Sequence, residues 1–309
     1  MMKASPSVSR IRSWALGLLL FGSLGHIAFA QSHATEPDYS FFVAGDMRSF
    51  LWHAPEGKMY FDGACDAMKQ AGPAAFLLSP GDCDPPGSVR EIIDLHLGTN
   101  FLWYPLVGNH DVEAASNMDW WRKWAKAGIP HLVRSGPEGN EALTYSFDYG
   151  NSHIIMLDEY FNGHSSSPTD DMSESTIVWL EHDLAANHQP IVWVSGHKPI
   201  KSLPDMDTGR IRHQDQSIIT DPDRRKRFLS LLRKNHVTGY ICGHTHDCSI
   251  AKVDGIWQLD SGHCRGAGDN ACPSTFLKIQ VTGLKATVDV YRSNTNGLNY
   301  LIKKTVELN

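Results

Sequence analysis

The sequence feature that most constrains the fold is a series of short apolar runs, each followed by glycine and side chains that can bind a metal ion. The motifs that follow the five runs are Gly45-Asp46, Gly81-Asp82, Gly108-Asn109-His110-Asp111, Gly196-His197 and Gly243-His244-Thr245-His246. A single motif of this kind is usually an ordinary turn. Five of them, each at the end of a predicted strand, indicate one shared site.

The first three runs alternate with helical stretches, which predicts parallel strands joined by crossover helices. We predict strands at 40–44, 75–78 and 103–107, with helices at about 56–70 and 88–97. The carboxyl ends of parallel strands lie at one edge of a sheet, where open α/β sheets place their sites. The chain is therefore predicted to have an α/β fold with its site at that edge.

The second half of the sequence predicts more strands and two further helices. Residues 142–149 and 152–158 alternate around Gly150-Asn151 and indicate a β-hairpin. A helix capped by Ser173 is predicted at 173–187, followed by a strand at 191–194 and a helix at 223–235. Strands predicted as an antiparallel meander complete the chain at 249–253, 256–260, 275–281, 286–291 and 301–306.

The residues at the strand ends form two predicted sets of metal ligands that share one carboxylate. Asp46, Asp82 and His246 would hold one ion. The other ion would take Asp82, Asn109, His197 and His244. Carboxylate and amide oxygens mixed with imidazole suit manganese, iron or zinc as divalent or trivalent ions. Two such ions about 3.5–4 Å apart acidify a bound water into a nucleophile and neutralise phosphoryl oxygens.

His110 is the candidate catalytic side chain because it follows a predicted ligand but cannot share its ion. It can reach a phosphoryl or leaving-group oxygen instead. We expect Asp111 to orient the His110 imidazole, as carboxylates beside metal sites often do.

The N-terminus predicts export. Residues 1–30 contain Lys3, Arg10 and Arg12, then an apolar run that ends in Ala28-Phe29-Ala30, as in a cleaved signal peptide. The alternative is an uncleaved anchor. We expect residues 31–39 to be disordered and residues 40–309 to form one domain. The mature protein is expected to be secreted or periplasmic, without stable membrane association. Cleavage would shift the formal charge from −6 to −9, which argues against nucleic-acid binding.

Three further features leave alternatives open. Six cysteines allow three disulfides, with Cys264–Cys272 the pair whose loop closes most easily. Trp120, Trp121 and Trp124 either pack a helix on its neighbours or form a platform for an aromatic substrate group. The polar loop at about 201–222, with Arg210, Arg212 and His213, either shapes a substrate pocket or is a solvated insertion.

The order of the motifs from Phe41 to Gly268 resembles the calcineurin-like metallophosphoesterases, whose pattern is Asp-x-His, Gly-Asp, Gly-Asn-His-Asp, Gly-His and Gly-His-x-His. The resemblance implies two packed mixed β-sheets flanked by helices and the same ligand roles. Among the family's members, the order of elements is most similar to that of the small purple acid phosphatases.

The chain departs from the family pattern at two positions. Arg48 replaces the histidine of the first motif, and arginine cannot ligate a metal. Pro85 stands where purple acid phosphatases have a ligand tyrosine. Three interpretations remain: Arg48 contacts the substrate phosphate, Asp84 or His263 replaces the missing ligand, or the first ion is bound weakly.

The function that these patterns favour is hydrolysis of a small phosphorylated substrate by an exported, metal-dependent phosphomonoesterase. The alternatives are a phosphodiesterase acting on a nucleotide or phospholipid head group, and a binding protein that has lost catalysis. Arg48 alone favours the binding protein, whereas the other predicted ligands are intact.

Overall fold

The computed structural model describes residues 38–52 and 54–308. The predicted signal peptide 1–30 and the segment 31–37 lie outside these residues, whereas Tyr39, predicted to be disordered, begins a strand.

The strands are β1 Tyr39–Val43, β2 Phe76–Ser79, β3 Leu102–Pro105, β4 Leu132–Ser135, β5 Tyr145–Tyr149, β6 Ser152–Met156, β7 Ile191–Ser195, β8 Gly239–Cys242, β9 Cys248–Val253, β10 Ile256–Ser261, β11 Thr275–Thr282, β12 Lys285–Arg292 and β13 Leu301–Leu308. The helices are α1 Phe61–Gln70, α2 Pro86–Leu97, α3 Asn109–Val112, α4 Ala115–Lys126, α5 Glu174–Ala186 and α6 Pro222–Lys234.

Two mixed sheets contain all of these strands. The first has the order β13-β12-β11-β1-β2-β3, and β1, β2 and β3 are parallel as predicted. The second has the order β4-β5-β6-β7-β8-β10-β9, with β6, β7 and β8 parallel. All five glycine-containing motifs of the sequence follow parallel strands of these two sheets: β1, β2, β3, β7 and β8.

The two sheets pack face to face, and helices cover both outer faces. Alternate residues of β1 separate the layers: Phe41 and Val43 lie between the sheets, whereas Phe42 packs towards α1 and α2. In β7, Trp193 faces the inter-sheet core and Val194 faces the layer of α5 and α6. Because these strands are buried on both faces, they read as continuous apolar runs in the sequence. The predicted α/β fold of two packed mixed sheets flanked by helices is confirmed.

Two predictions about the elements require correction. The last five strands are not one meander: β9 and β10 belong to the second sheet, where β10 pairs in parallel with β8, and β11–β13 belong to the first. Pairing between β10 and β8 satisfies backbone groups that a local hairpin leaves open. The helix predicted at 56–70 is a 3₁₀ turn, Pro55–Met59, followed by α1, because Tyr60 between them is extended.

The aromatic helix and the cysteines contribute to packing. Trp121 of α4 is buried, and its ring centroid lies 5.5 Å from that of Trp103 in β3. All six cysteines are buried and unpaired. The predicted Cys264–Cys272 disulfide is therefore absent from the structure, where Cys272 Sγ lies 3.2 Å from Thr208 Oγ1.

No helix among residues 38–52 and 54–308 is long and apolar enough to span a bilayer.

Candidate metal centre

The predicted ligands lie in turns that immediately follow parallel strands. Asp46 follows β1, Asp82 follows β2, and Asn109 begins α3 after β3. His197 follows β7, and the two histidines of the last motif follow β8. The backbone φ angles are 54° at Asp46, 53° at Asp82, 68° at His244 and 60° at His246. Non-glycine residues rarely adopt this left-handed conformation, and they concentrate at functional sites when they do.

Four of the predicted ligands converge closely enough to hold one ion. Asn109 Oδ1 lies 3.2 Å from His197 Nε2 and 3.1 Å from His244 Nδ1. The two imidazole nitrogens are 3.2 Å apart, and Asp82 Oδ1 is 3.5 Å from His197 Nε2. We call this set, Asp82, Asn109, His197 and His244, the inner half of the centre.

A second group of donors adjoins the inner half and shares Asp82. Asp46 Oδ1 lies 3.5 Å from His246 Nε2, and single ligand atoms of Asp46, Asp82 and His197 lie within 4.8 Å of one another. We call Asp46, Asp82 and His246 the outer half. The structure therefore brings the six predicted ligands to neighbouring strand ends, and their roles as metal ligands stay a prediction.

The partners of the three imidazoles leave one nitrogen of each ring free to face the centre. His197 Nδ1 donates to the backbone oxygen of Pro80 at 2.7 Å, and His246 Nδ1 lies 3.2 Å from Asp269 Oδ2, which accepts its proton when Nε2 is the metal-binding nitrogen. His244 Nε2 donates to Gln216 Oε1. These hydrogen bonds, on the side of each ring that faces away from the centre, fix the tautomer and the ring orientation. A ligating histidine requires both.

The electrostatics of the centre fit a bound cation. Asp46 is fully buried and its Oδ1 has no hydrogen-bond partner among the described residues. Burial and the negative charge of Asp82 raise the pKa of Asp46 well above its ordinary value. Burial and the neighbouring His197 lower the pKa of His244, so its imidazole is neutral and able to bind a metal. Buried carboxylates beside neutral imidazoles need a positive ion to compensate them.

Two glycines allow the strand ends to approach this closely. At Gly81, where φ is 96°, a β-carbon would lie 2.4 Å from His197 Nδ1. At Gly243, a β-carbon would lie 2.2 Å from Asp46 Oδ2. Any larger residue at either position would displace a predicted ligand.

His110 lies beside the inner half, but a different carboxylate orients it from the one predicted. His110 Nε2 is 3.9 Å from Asp82 Oδ2, and His110 Nδ1 donates to Glu113 Oε2 at 2.9 Å. Asp111 instead accepts the backbone N–H groups of Gly108 at 2.7 Å and Cys83 at 3.3 Å. The predicted pairing of Asp111 with His110 is wrong because successive residues of a helix point in different directions. Residues three apart, such as His110 and Glu113, lie on one face.

Arg48 lies at the edge of the centre beside His110. Its Nε donates to Asp84 Oδ2 at 3.1 Å, and its Nη2 is 3.7 Å from Glu113 Oε2. One third of its side chain is exposed, so its remaining donors can meet a ligand.

The two residues considered as replacements for the missing ligand are already engaged. Asp84 binds Arg48 and also accepts from Asn117 Nδ2 at 2.9 Å. His263 accepts from the Arg265 backbone at Nδ1 and donates to the Cys272 carbonyl at Nε2, so both ring nitrogens are occupied. Neither residue completes the outer half.

The loop between β7 and α6 contacts the centre from one side, and its role in shaping a substrate pocket stays a prediction. His213 stacks on His244 with ring centroids 4.4 Å apart, and Arg212 Nη1 lies against His246 Nδ1. Arg210 ties the loop to Asp247 at 2.6 Å and Asp269 at 3.1 Å.

Sequence reasoning missed Gln216, Asp269 and Glu113. Only Glu113 carried a local signal, its spacing of three residues from His110.

Known proteins resemble this chain in sequence. A sequence model of the calcineurin-like phosphoesterase family matches residues 32–248. The tartrate-resistant acid phosphatase type 5 of Oryctolagus cuniculus is 24% identical over a match of 296 residues, and the coverage is 85% of this chain and 82% of that relative.

Solved structures share the fold at low sequence identity. The structure of PhoD matches with a TM-score of 0.59 at 12% identity, covering 88% of this chain and 69% of that one. GAP50, described as the anchor in the inner membrane complex of Plasmodium, matches with a TM-score of 0.52 at 13% identity, covering 88% and 89% of the two chains.

Proposed function

Because the chain belongs to the calcineurin-like phosphoesterase family, whose members are metal-dependent phosphoester hydrolases, we propose that it is an exported phosphomonoesterase. The observation that carries the proposal is the convergence of four donors. Asn109 Oδ1, His197 Nε2 and His244 Nδ1 lie 3.1–3.2 Å from one another, and Asp82 Oδ1 lies 3.5 Å from His197 Nε2. Manganese, iron or zinc suits this mixture of oxygen and imidazole donors. Ions bound there would neutralise phosphoryl oxygens and acidify the attacking water.

His110 is proposed to give a proton to the leaving-group oxygen. Its Nδ1–H is held by Glu113, which leaves Nε2 directed towards the centre, 3.9 Å from Asp82 Oδ2. A protonated Nε2 in this position can donate to an ester oxygen as the P–O bond breaks. Glu113 has the orienting role that the sequence suggested for Asp111.

Arg48 is proposed to bind the phosphoryl group. Its guanidinium is anchored through Nε to Asp84, which leaves further N–H donors beside His110. A planar guanidinium can donate two parallel hydrogen bonds to a phosphate, which stabilises the charge spread over the phosphoryl oxygens.

The loop over the centre favours a monoester over a diester. The loop between β7 and α6 lies against the two histidines that follow β8. Arg212 contacts His246, and both His213 and Gln216 contact His244. The loop therefore occupies that side of the site. A phosphate with one substituent needs only the open side, next to Arg48 and His110. A diester needs room for a second substituent where the loop lies.

Export rests on the sequence of residues 1–30. N-terminal sequencing of the protein recovered from its native cells tests it, with a mature chain beginning at residue 31 as the expected result. A chain that retains residues 1–30 would overturn the export proposal and leave the enzymatic one intact.

Hydrolysis of an aryl phosphomonoester and its matching diester by the manganese-loaded protein tests the enzymatic proposal. We expect kcat/KM for the monoester to exceed that for the diester by at least about tenfold. His110→Ala should lower kcat by about 10²–10⁴-fold, whereas His182→Ala, on the exposed face of α5, should not change it. A faster diester would overturn the monoester proposal. Failure to hydrolyse either ester with metal bound would overturn the proposed chemistry.

A further inference from the structure

The two halves of the metal centre differ in the number of side chains that can ligate an ion and in the charged groups around them. We propose that the chain binds one ion firmly in the inner half and a second ion much more weakly in the outer half. The inference rests on the proposed metal-dependent function and specifies how this chain carries its metal.

The inner half offers four donors in a fixed arrangement. The amide oxygen of Asn109 and the two imidazole nitrogens lie 3.1–3.2 Å from one another, and the carboxylate of Asp82 lies 3.5 Å from His197 Nε2. The ring nitrogens that point away from the centre, Nδ1 of His197 and Nε2 of His244, make hydrogen bonds that prevent the rings from turning. Pre-oriented donors lose little freedom when an ion binds.

The outer half offers fewer donors of its own. Asp46 and His246 contribute one donor each, and Asp82 is shared with the inner half. Arg48 has no lone pair to offer, and its guanidinium is held by Asp84. Pro85 lacks a donor side chain, and both nitrogens of His263 are occupied.

Two arginines place positive charge against the donors of the outer half. Arg265 Nε donates to the backbone oxygen of Asp46 at 2.8 Å, and its guanidinium is held 5.6 Å from the Phe50 ring centroid. Arg212 Nη1 lies against His246 Nδ1, on the opposite side of the ring from the nitrogen that faces Asp46. Fixed positive charges repel a divalent cation, and the repulsion is strong in a poorly solvated site.

The cation on the other side of the centre is compensated. Lys198 Nζ lies 4.0 Å from the buried carboxylate of Glu159. That carboxylate also accepts the backbone N–H groups of His197 and Lys198 at 3.0 Å. In the outer half, Asp269 Oδ2 lies 3.7 Å from Arg212 Nη1 and offsets part of its charge, so the net repulsion there comes mainly from Arg265.

Stepwise addition of Mn²⁺ to the metal-free protein tests the inference, with free Mn²⁺ followed by its electron paramagnetic resonance signal. We expect one ion per chain to bind first and a second to bind with at least about tenfold lower affinity. His244→Ala should weaken the first step. His246→Ala should remove the second step and leave the first unchanged.

Removing a fixed charge from the outer half should tighten the second step. We expect Arg265→Gln to strengthen it by about tenfold or more. Arg212→Gln should act in the same direction, and because its side chain is one third exposed it serves if Arg265→Gln does not fold. Arg122→Gln, which removes the same charge from an exposed position on α4, is the matched control and should leave both steps unchanged.

Two results would overturn the inference while leaving the proposed hydrolase in place. One is the binding of two ions with equal affinity by the unaltered protein. The other is a first step that is lost in His246→Ala and kept in His244→Ala, because that would place the firmly bound ion in the outer half. A chain that binds no Mn²⁺ at all would overturn both this inference and the proposed function.

Discussion

The Nδ1 atom of His110 lies 2.9 Å from Oε2 of Glu113, and both side chains project from the same side of the turn formed by α3. The same carboxylate oxygen is 3.7 Å from Nη2 of Arg48. Glu113 therefore connects the proposed proton donor with the proposed phosphate-binding arginine. A change at Glu113 should disturb both.

Glu113→Gln should lower kcat by about 10–100-fold, the usual effect of removing a carboxylate that orients a catalytic imidazole. Thermal stability should change little, because the Glu113 side chain is 45% exposed. Steady-state kinetics and a thermal melt measure the two effects. Glu138→Gln, at another exposed position, is the control and should leave kcat unchanged. An unaltered kcat in Glu113→Gln would contradict the orienting role.

Asp111→Ala should act on stability. The Asp111 carboxylate is buried and accepts backbone N–H groups of Gly108 and Cys83, which the substitution would leave unpaired. Each unpaired buried donor costs about 1–3 kcal/mol. Urea unfolding should therefore show a loss of about 2–6 kcal/mol for the two donors together. A variant that keeps its unfolding free energy but loses kcat would restore the catalytic role first predicted for Asp111.

The buried ion pair between Asp205 and Arg292 should make stability depend on pH. Arg292 Nη1 and Nη2 donate to the two Asp205 oxygens at 3.2 and 2.7 Å. Burial raises the pKa of Asp205, but its hydrogen bonds to Arg292 and backbone N–H groups outweigh this effect and lower the pKa from 3.8 to about 2. Because the folded pKa is depressed, the stabilisation is complete above pH 3.8 and is lost as pH falls through about 2.

Asp205→Asn tests this dependence. Above pH 3.8 the variant should be less stable than the unaltered protein by about 3 kcal/mol, the lower end for a broken buried pair, because Arg292 keeps Asp207 Oδ2 at 3.2 Å as a second carboxylate partner. The difference in unfolding free energy should shrink as pH is lowered towards 2. Urea unfolding at several pH values measures it. A difference that is constant with pH would contradict the assigned ion pair.

Arg210 should keep the loop between β7 and α6 closed over the centre. Its guanidinium binds Asp247 and Asp269 and so holds the segment that contains Arg212 and His213. We expect Arg210→Met to raise KM and to make trypsin cut after Arg212 about tenfold faster, because the loop opens more often. Arg122→Met is the control for the loss of charge. Unchanged cleavage and KM would show that other contacts hold the loop.

The sequence was sufficient to predict the parallel strands β1, β2 and β3 and the strand-end positions of six candidate ligands, and the physical reason is local. Strands buried on both faces appear as continuous apolar runs, as with Phe41 and Phe42 of β1. The turn after such a strand has a fixed position at the sheet edge, so Asp46 and Asp82 could be placed together without knowledge of the rest of the chain.

The contacts that sequence reasoning missed join residues far apart in the chain. Gln216 meets His244 and Asp269 meets His246 through loops whose paths no local periodicity specifies. The pairing of β10 with β8 likewise depends on how the two sheets divide the final strands. The Asp111 error was of another kind, because the helical spacing of His110 and Glu113 was visible in the sequence.

The most direct test of the account is the recovery of activity by the metal-free protein. Hydrolysis of an aryl phosphomonoester should be absent after chelation and should return on addition of Mn²⁺. It should not return in Asn109→Ala, whose amide oxygen lies within 3.2 Å of both inner-half histidines. Hydrolysis that persists without metal, or that returns fully in Asn109→Ala, would contradict the assignment of these strand-end residues as a metal centre.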